Sequence, residues 1–171
     1  MDQVTRRFLA DSGPVTREDF ARWWGIPSPA RGRRLLERLG DEVARVEVDG
    51  TAAYALAADV PGLAAAGGSR TVRLLPAFDQ YVVTATRQAE HLLPGPFKAR
   101  VYRPQGWLSP VLLVGGRMEG VWRHEVKGRR VQVTIEPFAG PPPAWARRAA
   151  EAEAERLATI AGGQLELRWA D

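Results

Sequence analysis

The sequence predicts an α+β protein, with an N-terminal winged helix followed by a small, mainly antiparallel β-barrel or twisted-sheet domain with one C-terminal helix. Two observations lead to this fold class. Apolar residues recur at helical spacing over residues 1–40 and alternate at a period of two in most of the second half. The Gly- and Ala-rich stretch AADVPGLAAAGGSR separates the two patterns. We therefore expect a winged-helix domain over 1–56, a linker or loosely packed helix over 57–70, and a β-rich domain over 71–171.

Three short helices are predicted before residue 41, each with an apolar stripe that can face a common core. Residues that cap, open or end helices separate them. In chain order these residues are Gly13-Pro14, Thr16, Gly25, Ser28, Pro29 and Gly40. Each helix is therefore expected to span only a few turns.

Two extended runs follow the helices. VARVEV and TAAYAL are joined by Asp49-Gly50, which is among the strongest short indications of a β-hairpin. Three helices followed by a two-stranded hairpin is the pattern of a winged helix, whose third helix enters a DNA groove beside the hairpin wing. The third helix is therefore where DNA contact is expected.

The third helix is rich in arginine. Its leucines are expected to face the core, and Arg31, Arg34 and Arg38 recur at the i, i+3 and i+7 spacing of the opposite face. With Arg33 on the same helix, these side chains are expected to contact the phosphates of duplex DNA. Two alternatives are a solvated helix surface and a protein-contact module, since the formal charge over residues 1–56 sums to zero.

Five strand candidates follow the linker, separated in part by Gly-Gly at 115–116 and by Lys127-Gly128. They are TVRLLPAFDQYVV, FKARVYR, SPVLLVGG, RMEGVWRHEV and RRVQVTIEPF. Prolines at 141–143 stop the strands, a helix is predicted over 144–161, and QLELRW follows as a final strand. We expect the strands to curl into a barrel or a twisted sheet plugged by this helix.

The composition favours a polyanionic partner. The net charge is +4, and of the 24 positive residues all but Lys98 and Lys127 are arginine, which grips phosphate bidentately and stacks on bases. A high-GC bacterial genome would also favour arginine. The absence of cysteine excludes disulfides, thiolate metal sites and cysteine nucleophiles. No apolar run has the length of a signal peptide or a membrane span, so we expect a cytoplasmic protein with no membrane partner.

Two motifs carry a family resemblance. LLPAFDQYVV, at 74–83, resembles a motif of the winged-helix DNA-binding family that contains the AlkZ/YcaQ-type DNA glycosylases. PVLLVGGRMEGVWRHE is similar to that family's second segment, a strand, a glycine turn and a strand reading Gly-x-Trp. The resemblance implies a tandem of winged helices followed by a β-rich C-terminal domain, which together form a basic channel over duplex DNA.

The catalytic residues of the family have no counterpart here. In the glycosylase members, a Gln-x-Gln or Gln-x-Asp pair in the first winged helix assists cleavage of the bond to an alkylated base. None of the six glutamines of this chain is followed two residues later by Gln or Asp. The nearest imitations, Gln88-Ala-Glu90 and Gln164-Leu-Glu166, lie outside the predicted winged helix. We expect a C-terminal fragment or a shortened paralogue that does no chemistry alone and needs no cofactor.

Two further sites are predicted in the second half. Asp79 is a carboxylate in an apolar run whose other members are expected to build the core, namely Leu74, Leu75, Phe78 and Val82. It either positions water or a base or, as we prefer, bonds turn amides after Pro76. A basic hairpin beside Trp122 is the second candidate for DNA contact. The sequence is equally compatible with a hairpin whose charges are only solvated. The residues of this hairpin are Arg123, His124, Lys127, Arg129 and Arg130.

Other functions lack their usual markers. The two histidines, without cysteine, do not predict a metal site, and the chain has no phosphate-loop, dinucleotide-binding or serine-hydrolase motif. One alternative to simple DNA binding is a DNA glycosylase for alkylated bases that uses Asp79 or Glu90. The other is a protein-interaction module in which Trp23, Trp24 or the Ala-rich helix docks another winged-helix protein or subunit.

Overall fold

The computed structural model describes residues 1–85 and 91–170. The chain divides into two compact units, Met1–Gly67 and a second unit that begins at Gly68. This division falls within the segment 57–70, where a short exposed helix precedes an extended stretch.

The first unit contains four helices and a two-stranded sheet. In chain order these are α1 (Asp2–Ser12), α2 (Arg17–Trp23), α3 (Pro29–Glu37), a 3-10 turn (Gly40–Glu42), β1 (Val43–Val48), β2 (Thr51–Leu56) and α4 (Val60–Ala65). A capping box begins α2: Thr16 Oγ1 accepts from the Asp19 amide at 3.0 Å, and the Asp19 carboxylate accepts from the Thr16 amide at 3.3 Å. Pro29 opens α3, although the Ser28 side chain makes no capping bond.

The hairpin is the predicted wing. β1 and β2 pair antiparallel from Val43 opposite Leu56 to Val48 opposite Thr51. Asp49 and Gly50 both have positive φ, at 49° and 75°, as a two-residue turn of type I′ requires. The Val15 amide and carbonyl bond Tyr54 at 2.9 and 2.8 Å and add a third, single-bridge strand to the wing.

The core of the first unit lies between the three helices and the wing. Its buried members are Phe8, Leu9, Val15, Phe20, Leu36, Leu39 and Tyr54. Leu36 and Leu39 are buried as predicted, and Leu35 packs half-buried at the edge. Because burial of these apolar side chains orients α3, its charged side chains face outward.

The second unit is a five-stranded sheet with short helices and one long helix. Its elements are β3 (Val72–Leu75), α5 (Gln80–Thr84), α6 (Lys98–Val101), a 3-10 turn (Pro104–Gly106), β4 (Val111–Val114), β5 (Arg117–Lys127), β6 (Arg130–Pro137), α7 (Ala144–Ile160) and β7 (Gln164–Trp169). The strand order is β3-β4-β5-β6-β7, antiparallel throughout except for the parallel pair β6 and β7. α7 provides the crossover that a parallel pair needs.

The two faces of this sheet bury different residues. On one face α7 presents an alanine every fourth position against the sheet: Ala146, Ala150, Ala154 and Ala158 pack with Leu112, Trp122, Val131, Val133 and Ile135. On the other face Val111, Leu113 and Met118 pack with Val82 from α5 and Val101 from α6. Alternate residues of β4 therefore serve two cores.

The predicted fold class is confirmed in its twisted-sheet form. Within the described residues β3 and β7 are the two edges of the sheet, so the strands do not close into a barrel. The long helix accordingly covers one face of an open sheet instead of plugging a barrel.

Two of the predicted strands are wrong over part or all of their length. TVRLLPAFDQYVV is a strand only over Val72–Leu75, because a turn at Pro76 ends the strand and Asp79 caps the helix Gln80–Thr84. FKARVYR forms the short helix Lys98–Val101. Apolar runs of this length do not distinguish a period of two from one of 3.6.

Candidate nucleic-acid interface

A buried glycine sets the position of α3. A Cβ on Gly32 would lie 3.1 Å from both the Ala21 Cβ and the Arg17 carbonyl oxygen on α2. Glycine therefore permits the two helices to approach closely, which larger residues at this position would prevent. With Leu36 fully buried on the same side, the arginine-bearing side of α3 is exposed.

Three arginines of α3 share one surface. Arg31, Arg34 and Arg38 line an open depression of about 510 Å³ together with Leu35 and Glu37. Arg31 and Arg34 form no ion pair with any carboxylate in the described part of the chain. Arg38 Nη2 lies 3.3 Å from Asp2 Oδ1, so one carboxylate partly neutralises this surface. We call this group of three the α3 arginine face.

Arg33 belongs to a different surface. Its Nε lies 3.8 Å from Glu37 Oε2, and the same carboxylate also pairs with Arg45 of the wing. The Arg45 guanidinium in turn lies over the Tyr54 ring, 5.9 Å from its centroid. A depression of about 370 Å³ between α2, α3 and the wing is lined by Arg33, Arg45 and Arg17. The four predicted arginines therefore divide into a group of three and one that bridges to the wing.

Most cations of the basic hairpin are paired. Arg123 pairs with Glu136, Lys127 Nζ lies 2.7 Å from Glu125, and Arg130 Nε lies 3.7 Å from Glu166. The hydrogen bond from Lys127 is the main reason that the pKa of Glu125 is lowered. Arg129 makes no ion pair with any carboxylate among the described residues. The hairpin therefore carries less unpaired positive charge than its sequence suggests.

His124 lies within strand β5, opposite Val133, and not at the hairpin tip. Its ring stacks on Trp122, with 5.6 Å between centroids and 28° between planes. Trp122 is buried, and its indole nitrogen donates to the Leu75 carbonyl at 2.8 Å. The tryptophan is therefore a core residue with one side available to His124.

Asp79 has a local structural partner. One carboxylate oxygen accepts from the Tyr81 amide at 2.9 Å, which caps the N-terminus of α5. Gln88 and Glu90, which the sequence suggested as substitutes for the catalytic glutamine pair, lie outside the described residues. Gln164 is the first residue of β7, and Glu166 lies two residues further along the strand. Both line a depression of about 690 Å³ together with Lys127, Arg129 and Arg130 of the hairpin.

The residues suggested for protein docking differ in accessibility. Trp23 is 42% exposed, although its ring lies only 4.4 Å from that of Phe8. Trp24 packs against the core of the first unit. The alanine stripe of α7 is buried against its own sheet, so that face of the helix is not available to a partner.

One expectation about the core is wrong. Phe78 was expected to be buried, but it is 50% exposed, and it contacts Trp107, which is 61% exposed. The sequence pattern suggested burial for Phe78 and indicated nothing for Trp107. In the structure Phe78 lies in a turn and Trp107 in a segment without regular secondary structure. Their proximity arises only from the tertiary structure.

The described residues offer neither a metal cluster nor a membrane span. Within 1–85 and 91–170, no group of three or more His, Cys, Asp or Glu side chains could hold a metal ion. No helix in this part of the chain is both long and apolar enough to cross a membrane.

Known proteins resemble this chain over nearly its whole length. A family model described as "DNA glycosylase AlkZ-like" matches residues 1–160. The "Interstrand DNA cross-link repair glycosylase" of Streptomyces sahachiroi is 34% identical over 161 residues, which are 93% of this chain and 42% of that protein. The solved structure of "Streptomyces sahachiroi DNA glycosylase AlkZ" matches with a TM-score of 0.84 and 31% identity, covering 99% of this chain and 45% of that one. The chain thus spans less than half the length of the relatives it matches.

Proposed function

The chain belongs to the AlkZ-like DNA glycosylase family, and from this premise we propose that it binds duplex DNA through phosphate contacts of the α3 arginine face. The observation that carries this proposal is the exposure of Arg31 and Arg34 and their lack of a carboxylate partner in the described residues. Both lie on the third helix of a winged helix. In this motif the third helix is the one that meets DNA.

The charge state of the face supports phosphate as its ligand. An arginine without a carboxylate partner can donate two parallel hydrogen bonds to one phosphate, and each contact releases condensed counterions from the duplex. On binding DNA, the guanidinium of Arg38 would leave the carboxylate of Asp2 and contact a phosphate instead. Because exposed ion pairs contribute little to stability, this exchange is not strongly opposed. Three phosphate contacts are therefore within reach of one helix face.

We assign binding, and not base release, to this chain. It contains no Gln-x-Gln or Gln-x-Asp pair, and the carboxylate of Asp79 is engaged with the Tyr81 amide. The Streptomyces relative named as a glycosylase is more than twice as long as the matched region. Release of an alkylated base from duplex DNA by the purified, folded chain would contradict this assignment and favour a glycosylase that works without the glutamine pair.

The proposal is tested by replacing Arg31, Arg34 and Arg38 together with alanine. Affinity for duplex DNA should fall at every sequence, because phosphate contacts position a protein without reading bases. The plot of log affinity against log salt should flatten by roughly 0.9 for each phosphate that the variant no longer binds, about 2 to 3 in total. The affinity is measured by fluorescence anisotropy of a labelled duplex over a range of salt concentrations.

A charge-matched control variant separates local contact from net charge. Arg7, Arg117 and Arg148 are exposed and make no ion pair within the described residues, so their replacement by alanine removes the same charge from scattered positions. This control should change the salt slope much less. An unchanged slope in the folded α3 variant would overturn the proposal and favour the basic hairpin or a protein-contact surface.

A further inference from the structure

Two exposed aromatic side chains meet on the surface of the second unit. The rings of Phe78 and Trp107 lie 5.5 Å apart between centroids at an interplanar angle of 60°. Half of Phe78 and 61% of Trp107 remain accessible to solvent. Soluble proteins usually bury such side chains, so an exposed aromatic pair indicates a ligand surface.

Two residues at this site, Phe78 itself and Gln105, have a positive φ, which is an unfavourable backbone conformation for residues other than glycine. Phe78 has φ of +60° and is the third residue of a turn closed by the Asp79 amide and the Pro76 carbonyl, where glycine is usual. Gln105, two residues before Trp107, has φ of +61°. Bulky residues rarely adopt positive φ, and such conformations concentrate at functional sites. These turns present the aromatic rings outward.

Hydrogen bonds hold the backbone of Trp107 in place. Its carbonyl accepts from the Arg103 amide at 2.8 Å, and the adjacent Tyr102 and Leu108 form a β-bridge. A tryptophan side chain has only two χ angles to restrict, so it loses little conformational freedom on binding, which suits a stacking platform.

The charge beside the pair suits a nucleic acid. Arg103, bonded through its backbone to Trp107, is exposed and makes no ion pair with a carboxylate in the described residues. Asp79, next to Phe78, has its carboxylate bonded to the Tyr81 amide. An exposed arginine on the same short loop as an exposed ring is a combination that can bind a phosphate and the base attached to it.

We propose that Phe78 and Trp107 form a stacking site for an unpaired DNA base, with Arg103 contacting the adjacent phosphate. This inference rests on the proposed function, since it takes DNA to be the ligand. It adds a preference for DNA in which a base is displaced from the stack, which the α3 arginine face alone does not provide. Unpaired bases need no energy to be removed from a partner strand, so they occupy such a site most readily.

The test compares a perfect duplex with the same duplex carrying one unpaired adenine. The wild-type chain should bind the bulged duplex more tightly. The variant Phe78→Asn with Trp107→Ala should lose about fivefold or more of that preference, which is what one base stacked on an aromatic contributes. Asparagine tolerates positive φ, so this change removes the ring without adding strain.

Conservative variants keep the test independent of folding. Phe78→Tyr with Trp107→Phe retains two stacking surfaces and should retain the preference. With 2-aminopurine as the unpaired base, stacking should quench its fluorescence in the wild-type and conservative proteins but not in the ring-deleted variant. Equal binding of both duplexes by wild-type protein, or an unchanged preference in the ring-deleted variant, would overturn the inference and leave the pair to a protein partner.

The two proposals fail in distinguishable ways. Loss of the α3 arginine face should weaken both duplexes and flatten the salt slope, whereas loss of the rings should change only the ratio of the two affinities. If no duplex binds to wild-type protein, the proposed function fails. If wild-type protein binds duplex DNA but has equal affinities for the bulged and the perfect duplex, only the proposal of a stacking site fails.

Discussion

At the residue scale, the surroundings of each arginine decide what it can bind. Arg31 and Arg34 have no carboxylate partner in the described residues, whereas Arg33 and Arg45 share Glu37. A guanidinium that is already paired with a carboxylate has fewer free N–H donors and less unbalanced positive charge to offer a phosphate. The spacing within α3 alone does not distinguish these arginines, because Asp2, the partner of Arg38, lies on α1 and Arg45, the second partner of Glu37, lies on the wing.

A bidentate pair between α1 and the 3-10 turn predicts a pH effect. The Arg6 guanidinium donates to both oxygens of Glu42 at 2.7 and 2.8 Å, and this hydrogen bonding is the main cause that lowers the pKa of Glu42. A carboxylate whose pKa is lower in the folded than in the unfolded state stabilises the fold above its unfolded pKa, about 4.3 for Glu. That contribution is lost as the pH falls through the lower, folded pKa.

Glu42→Gln should therefore lower the melting temperature at neutral pH, and the difference from wild type should shrink as the pH falls below about 4. Thermal unfolding followed by circular dichroism at several pH values measures this. Glu47→Gln on the wing is the matched control, since Glu47 has no ion pair in the described residues and should show no such convergence. A pH-independent difference for Glu42→Gln would show that the charge of Glu42 is not involved.

At the element scale, close packing of α2 and α3 depends on one residue without a side chain. Gly32 is buried, and its Cα faces Ala21 and the Arg17 carbonyl. The helix tolerates glycine although it is a poor helix former, because packing outweighs intrinsic propensity. The same contact aims the α3 arginine face away from the core.

Gly32→Val should destabilise the first unit by about 1 to 3 kcal/mol, because the added methyl groups meet backbone that cannot move freely. For a unit of this size, each kcal/mol lowers the melting temperature by about 4 to 8 °C. Gly62→Val is the control on α4, where an added Cβ meets nothing within 4 Å. A Gly32→Val variant as stable as Gly62→Val would show that the two helices are not tightly packed.

At the scale of the whole molecule, the chain contains separate hydrophobic cores. One belongs to the winged-helix unit, and two lie on the opposite faces of the five-stranded sheet. The residues 61–70, where the first unit ends and the second begins, are all exposed, and 66–70 have no regular secondary structure. We propose that 57–70 acts as a linker between independently packed units.

Limited proteolysis tests this organisation. Elastase, which cleaves after small residues, should cut first within the alanine- and glycine-rich stretch 66–68 and leave two resistant fragments, because exposed backbone without regular structure is cleaved fastest. Mass spectrometry of the early products identifies the site. A first cut inside β1, β2 or the sheet of the second unit would contradict the proposed linker.

The sequence by itself determined the elements whose information is local. Thr16, Pro29 and the Asp49-Gly50 turn define helices and a hairpin through contacts within a few residues, and these elements are where they were predicted. The i, i+3, i+7 spacing likewise placed Arg31, Arg34 and Arg38 on one surface. Helix periodicity and turn chemistry act over short chain separations, so one sequence suffices to detect them.

Tertiary structure decided what depends on distant partners. Whether the strands close or stay open was settled by the strand pairing of the folded sheet, which leaves β3 and β7 as its two edges within the described residues. The pairing of Arg38 with Asp2 and the meeting of Phe78 with Trp107 join residues far apart in the chain. Such contacts depend on how whole elements pack, and no local pattern encodes that packing.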